Sequence, residues 1–198
     1  MTQQAFFTRE AVLNAVFEMT RESGWRSVSV RSIARRLGSS TMPIYSSLKS
    51  MADIERETRS RADELLREYQ ARPVSGNPAL DMAIGYVAFA RREAHLFRFL
   101  YVDAPERRGP REQERQSAEV VSRPANEGLR KLVATLPALG SNPVILKSWI
   151  FVHGLASLLS SGALELPDDQ VRGLLLDAGA AFLEQETSRK EGKESKDG

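Results

Sequence analysis

The sequence predicts an all-α protein of about nine helices. Three observations point there. Apolar residues recur three and four apart along most of the chain, as the buried faces of helices do. Ser, Thr, Asn and Asp stand just ahead of these runs and single glycines just behind them, where helices begin and end. No stretch alternates apolar and polar residues for long enough to read as a strand.

Taken in order, Thr8 caps a first helix, with Phe7 and Val12 placed as a hydrophobic staple, Val12, Val16 and Met19 on one face, and Gly24 as the stop. Ser29 caps a short second helix with Val30, Ile33, Ala34 and Leu37 inward, ended by Gly38. Ser40 caps a third through Ile44, Tyr45 and Leu48; Pro43 falls in its first turn, where the missing N–H does no harm. Ser50 opens a fourth carrying Ile54, Leu65 and Leu66 to about Ala71, followed by a loop over residues 72–77. Asn77-Pro78 opens a fifth, apolar on most sides, which is the pattern of a buried helix. Leu96, Phe97, Leu100 and Tyr101 mark a short sixth, a break follows at 102–110, and a further helical stretch interrupted at Pro124 ends near Pro137. Asn142-Pro143 opens a helix through Trp149 to about Gly162. Pro167, Asp168 and Asp169 open the last one, where the two carboxylates suit the positive end of the helix dipole. From Glu184 onward no apolar residue occurs, and residues 187–198 read as a disordered tail.

Composition narrows the chemistry. The chain has 198 residues, room for one large domain or two small ones, and 41% of them are hydrophobic. There is no cysteine, which excludes disulfides, thiolate metal sites and a cysteine nucleophile. His95 and His153 are the only histidines, and they lie far apart, so no metal and no cofactor is expected. The glycines are scattered singly rather than grouped in a phosphate loop. The opening MTQQAFFTRE lacks the pattern of a signal peptide, and no apolar run approaches the ~18–20 residues of a membrane span, so no membrane partner and a cytoplasmic location are expected. Net charge is only +2, but between Gly24 and Ala52 stand Arg26, Arg31, Arg35, Arg36 and Lys49 with no acidic residue. Such a patch can track phosphates; it is equally the solvated face of an ordinary helix.

Residues 29–48 form a helix, a tight turn at Gly38-Ser39-Ser40 and a second helix, the layout of a helix-turn-helix. Ala34 is small where the two helices cross, and Ile33, Leu37, Ile44 and Leu48 supply the shared core. Ser39, Ser40, Thr41 and Met42 stand at the start of the second helix, in position to meet base edges or phosphate, and Tyr45 lies one turn on. By layout alone, an α-hairpin inside a helical bundle fits as well.

The stretch from Thr8 to Ile54 resembles the DNA-binding domain of the TetR family of bacterial regulators. The resemblance lies in Thr8-Arg9-Glu10, Gly24-Trp25, Ser29-Val30-Arg31-x-Ile33-Ala34, Leu37-Gly38-x-Ser40, Ile44-Tyr45 and Lys49-Ser50, all in register. A later element, Trp149-x-x-x-His153-Gly154-Leu155-Ala156, resembles the Trp-His-Gly segment in the C-terminal domain of one subgroup. Ser46, Ser47 and Leu48 depart from the aromatic, histidine and phenylalanine of many members; Ser47 can still donate a hydrogen bond, whereas Pro43 has no backbone donor. The resemblance implies a helix-turn-helix domain over 1–50 that contacts a double-stranded DNA operator through Arg31, Ser39, Ser40, Thr41, Met42, Tyr45, Ser46, Ser47 and Lys49. It implies a helical effector-binding and dimerisation domain over 51–186. It also implies a homodimer formed by the last two helices, here through Gly154, Ala156, Ser157, Ser160, Val171, Leu174, Leu175, Ala178 and Phe182. A small hydrophobic or aromatic effector would be lined by Tyr86, Phe89, Phe97, Phe99, Tyr101, Trp149 and His153, each of which is also an ordinary core candidate. His153 is read as structural, tied to backbone, with a ligand contact as the alternative.

The function expected is therefore a dimeric repressor released from a palindromic operator by a small molecule, not an enzyme, with no catalytic residues. The alternative is an all-α dimeric interaction or ligand-binding protein that has lost specific DNA binding.

Overall fold

The computed structural model describes residues 7–47, 50–103 and 143–194, without the side chains of residues 46–47 and 190–194. Among the described residues there are eight α-helices and no strand: α1 (Arg9–Ser23), α2 (Val30–Arg36), α3 (Thr41–Ser47), α4 (Met51–Gln70), α5 (Pro78–Arg92), α6 (Ala94–Tyr101), α7 (Pro143–Ser160) and α8 (Asp168–Glu194). The all-α expectation holds, and the count is close to nine. The helical stretch expected around Pro124 lies outside the described residues.

The helix ends are set by the side chains the sequence places there. Thr8 Oγ1 accepts from the Ala11 amide at 3.2 Å, Ser29 and Ser32 form a capping box, Ser50 accepts from Asp53, and Asn77 accepts from Ala79 and Leu80. Each such cap is worth about 1 kcal/mol. After α2, Gly38 at φ 64° lets the Ser39 amide reach back to the Ala34 carbonyl at 2.9 Å, the hydrogen bond that closes the helix and turns the chain into α3.

Two apolar cores follow. The first gathers Val12, Leu13, Val16 and Met19 of α1, Ile33 and Ala34 of α2, Ile44 of α3 and Ile54 of α4. The second gathers Ala62, Leu66 and Tyr69 of α4 with residues of α5, α6, α7 and α8. α4 therefore serves both, its first turns in one core and its later turns in the other. The crossing of α4 and α5 is unusually close. A Cβ added to Gly85 would lie 2.2 Å from the Tyr69 carbonyl oxygen, so only glycine fits there.

Three expectations are corrected here. α5 is not buried all round: Met82 is exposed, while Asp81 is buried, its carboxylate held by the Ser75 amide at 2.6 Å and hydroxyl at 2.5 Å. Those bonds hold the Asp81 carboxyl below its usual pKa range. α8 continues through Glu194, past the point where the composition suggests a tail. Gln, Glu, Arg and Lys are good helix formers and extend a helix already nucleated by packing; Arg189 pairs with Glu186 one turn back. Residues 195–198 lie outside the described residues. Finally, α7 has 18 residues with a mean hydropathy of 1.4, long and apolar enough by composition to cross a membrane. No uninterrupted apolar run marks it in the sequence, because Lys147, Ser148 and His153 punctuate it. In this fold α7 packs on α5 and α8, with Leu155, Ala156 and Leu159 in the core.

Candidate nucleic-acid interface and apolar cavity

The first core fixes what the head presents. Ile44 is fully buried against Ile33 and Ala34, which turns the opposite face of α3 outward. On that face Met42 is 66% exposed and Tyr45 63% exposed, the two most exposed large hydrophobic side chains among the described residues. Ser40 is exposed, and Ser39 and Thr41 are half-buried. The expected contacts at Ser46, Ser47 and Lys49 fall on side chains outside the described set. The basic patch is smaller than the sequence suggests. Arg36 is taken up by Glu22 in two hydrogen bonds of 2.9 and 2.7 Å, and Arg26 lies 3.9 Å from Asp103. Arg31 and Arg35 are exposed and make no ion pair or hydrogen bond among the described residues. Both acids that quiet the patch lie outside its own segment, so sequence spacing does not reveal them.

The head is tied to the rest of the chain by charge and aromatic contact. Glu93, at the corner between α5 and α6, is 4% exposed and receives Arg21 of α1 through two bonds of 2.7 and 2.6 Å, with the Tyr69 hydroxyl at 3.3 Å. Trp25 stacks on Phe99 at 5.0 Å between centroids, and the Arg59 guanidinium lies 4.1 Å from the same ring while donating to the Phe99 carbonyl.

His153 is the centre of an aromatic cluster in the second core. Trp149, one turn earlier on α7, stacks on it at 4.9 Å and 17°, with Phe97 and Tyr101 of α6 at 5.8 and 5.6 Å. Its Nδ1 lies 2.9 Å from the Tyr86 hydroxyl. Burial lowers the His153 pKa and raises those of Tyr86 and Tyr101, the latter to about 12. All three are therefore neutral near pH 7, and the Tyr86 hydroxyl can donate to Nδ1 with the ring proton on Nε2. The hydrogen-bond partner expected for His153 was backbone; the one it has is a side chain, the Tyr86 hydroxyl.

Beside this cluster, α5, α7 and α8 line a cavity of about 660 Å³ that opens to solvent past the exposed side chains of Met82, Ile145, Leu176 and Leu183. Of the seven residues expected to line an effector site, Tyr86 and Trp149 border this cavity. Phe97, Tyr101 and His153 pack behind them; Phe89 packs edge-on against Tyr69, and Phe99 belongs to the junction with the head. Of the remaining wall, Leu175, Ala178 and Phe182 were expected at a subunit contact, and Ala83, Val152 and Gly179 were not singled out, because small and aliphatic residues at helical spacing read as plain core.

A family model described as the tetracyclin repressor-like C-terminal domain matches residues 79–180, just over half of the chain. The chain belongs to the TetR family. No curated protein matches it significantly. Membership implies DNA binding and dimerisation in general terms.

The matched region runs from α5 into the first half of α8 of this TetR-family chain, and contains all but Phe182 of the residues expected at a dimer interface. The structure divides them. Ala156, Val171 and Leu175 are buried in the protomer's own core and cannot meet a partner. Ala178 and Phe182 border the cavity, and Ser157 and Ser160 are half-buried. Gly154 and Leu174 remain exposed. The expectation had assigned small size at Ala156 to contact between subunits; the small side chain instead permits close packing within the protomer. Ile150 and Leu158, exposed on the same face of α7 as Gly154, were not anticipated.

Proposed function

We propose that this TetR-family protein is a dimeric transcriptional repressor that acts in the cytoplasm, grips a near-palindromic operator through two copies of α3 and is released by a small-molecule effector. Residues 1–50 form its reading head, and residues 51–186 its effector and dimerisation body. The observation that carries the reading is the outward face of α3. It presents Met42 and Tyr45 to solvent, with Arg31 and Arg35 unengaged nearby in the sequence and the opposite face of the helix locked into the head's core. Tyr45 and Lys49 are assigned to phosphate, Thr41 and Met42 to base edges, and Arg31 to the backbone beside them. The exposed line Ile150, Gly154, Leu158 on α7, with Leu174 of α8, is assigned to the partner subunit.

The test is selection of bound duplexes from a random library, followed by affinity measured against salt concentration. A near-palindrome with half-sites about 10 base pairs apart, or a multiple of that, is expected. Affinity is expected to fall steeply with salt, as counterion release requires. A chain that retains no duplex even at low salt is instead an interaction or ligand-binding protein that has lost DNA recognition.

A further inference from the structure

Thiol and thioether side chains are few in this chain and unequally placed. There is no cysteine, so no thiol intercepts a peroxide before it meets a thioether. Of the five methionines, Met1 lies outside the described residues. Met19 is buried in the first core and Met51 packs against that core, whereas Met82 on α5 and Met42 on α3 are more than half exposed. Met42 is held at the surface by its helix. Ile44 stands two residues on, about 200° round the helix, and is fully buried against Ile33 and Ala34. α3 cannot turn the Met42 thioether inward without drawing Ile44 out of the core. The position of Met42 makes its oxidation state matter. Tyr45, one turn on, is exposed on the same face, and the base contact assigned to Met42 is apolar. A sulfoxide there is a polar, chiral group whose acceptor oxygen finds no donor on a thymine methyl and is repelled by phosphate oxygens.

We infer that Met42 is an oxidation site, and that a peroxide converting it to the sulfoxide weakens the hold of this chain on duplex DNA. The inference rests on the DNA-binding reading above for what is weakened. In the reaction a lone pair on the Met42 sulfur forms the S–O bond and the peroxide O–O bond breaks. The departing hydroxide takes the proton from the new S–OH group and leaves as water. Sulfur is oxidised by two electrons and the peroxide is reduced by the same two. Bound duplex covers Met42, so the peroxide acts on the unbound chain and hinders its return. Methionine sulfoxide reductases, driven by a dithiol, take the oxygen off again as water and regenerate the thioether.

The experiment uses the full chain, hydrogen peroxide in graded doses, and the duplex the chain selects from a random library. Peptide mass spectrometry follows each methionine. Met42 and Met82 are expected to gain oxygen before Met19 and Met51, and prebound duplex is expected to slow the reaction at Met42 and leave Met82 unchanged. Once Met42 is fully converted, affinity is expected to be at least about tenfold lower, since both half-sites are affected. The salt slope is expected to stay as it was, because no charge has changed. Circular dichroism is expected to show the fold intact, and reductase treatment to restore the affinity. Met42→Leu is scored on its own selected duplex against its own affinity before treatment, and is expected to lose none of it at the same dose, although Met82 is still oxidised. Met42 reacting no faster than Met19, a Met42 rate that duplex does not alter, or Met42→Leu losing as much as the parent overturns the inference. A parent chain that retains no duplex before any peroxide strikes the regulatory reading, and this inference with it. A parent that retains duplex and holds it equally well with Met42 oxidised strikes this inference alone.

Discussion

At the scale of single residues, exposure separates the assignments on α3. Met42 offers no strong donor or acceptor, so its contact with DNA is apolar, most simply with a thymine methyl group. Substituting Met42 is expected to change the preferred base at one position per half-site and leave the salt slope intact. Arg31→Ala and Lys49→Ala are expected to weaken all sequences alike and to flatten the slope by about one unit each. Tyr45→Phe is expected to weaken all sequences alike. A binding-site selection on each variant decides the matter, and an unchanged sequence preference for the Met42 variant moves base reading elsewhere. His153 makes a different prediction. Its pKa is lowered in the folded chain, so below about pH 6.5 the unfolded chain takes up a proton that the folded one resists. Stability held above that pH is therefore lost as pH falls toward the lowered folded value. His153→Gln is expected to flatten the dependence of the denaturation midpoint between about pH 7 and 5; a slope as steep as in the parent chain assigns it to other groups. The outward side of α3 was legible because Ile44 and Ile33 fix the inner one. The neutralisation of Arg36 by Glu22 was not, since it pairs residues fourteen apart on different helices.

At the scale of elements, caps and stops were readable because they act within three or four residues. Pairing between helices was not, because the same small or aliphatic residue serves a protomer core and a subunit contact equally well. Ala156 shows the difference. An arginine there disrupts the protomer itself, so Ala156→Arg is expected to misfold. Ile150→Arg is expected to give a folded monomer with reduced operator affinity, seen by sedimentation and circular dichroism. A folded dimer from Ile150→Arg relocates the interface. The corner between α5 and α6 carries a stability prediction. Removing Arg21 leaves the nearly buried Glu93 carboxylate with Tyr69 as its one side-chain partner among the described residues. Breaking a fully buried pair costs about 3–5 kcal/mol. Arg21 is 43% exposed, so water partly rescues the carboxylate and Arg21→Met is expected to cost about 2 kcal/mol in denaturant unfolding. Adding Glu93→Gln is expected to recover part of that loss; two strictly additive losses mean that the residues are not coupled.

At the scale of the molecule, the family resemblance implies a head over 1–50 and a body over 51–186, and the junction between them is built from parts no local pattern announces: the Trp25–Phe99 stack, Arg59 on the Phe99 carbonyl, and the Arg21–Glu93 pair. The most consequential of these links is α4. Met51 and Ile54 complete the first core, and Ala62, Leu66 and Tyr69 belong to the second. A fragment ending at residue 50 lacks part of its own interior, so it is expected to be unfolded in isolation by circular dichroism, whereas one ending near Thr58 keeps that core whole. Proteolysis should tell the same story from the other direction: no single cut can liberate an intact head without taking the opening turns of α4 with it. The two halves share a rod rather than a hinge: its opening turns close the floor beneath α3, and its later turns are wedged among the helices of the body.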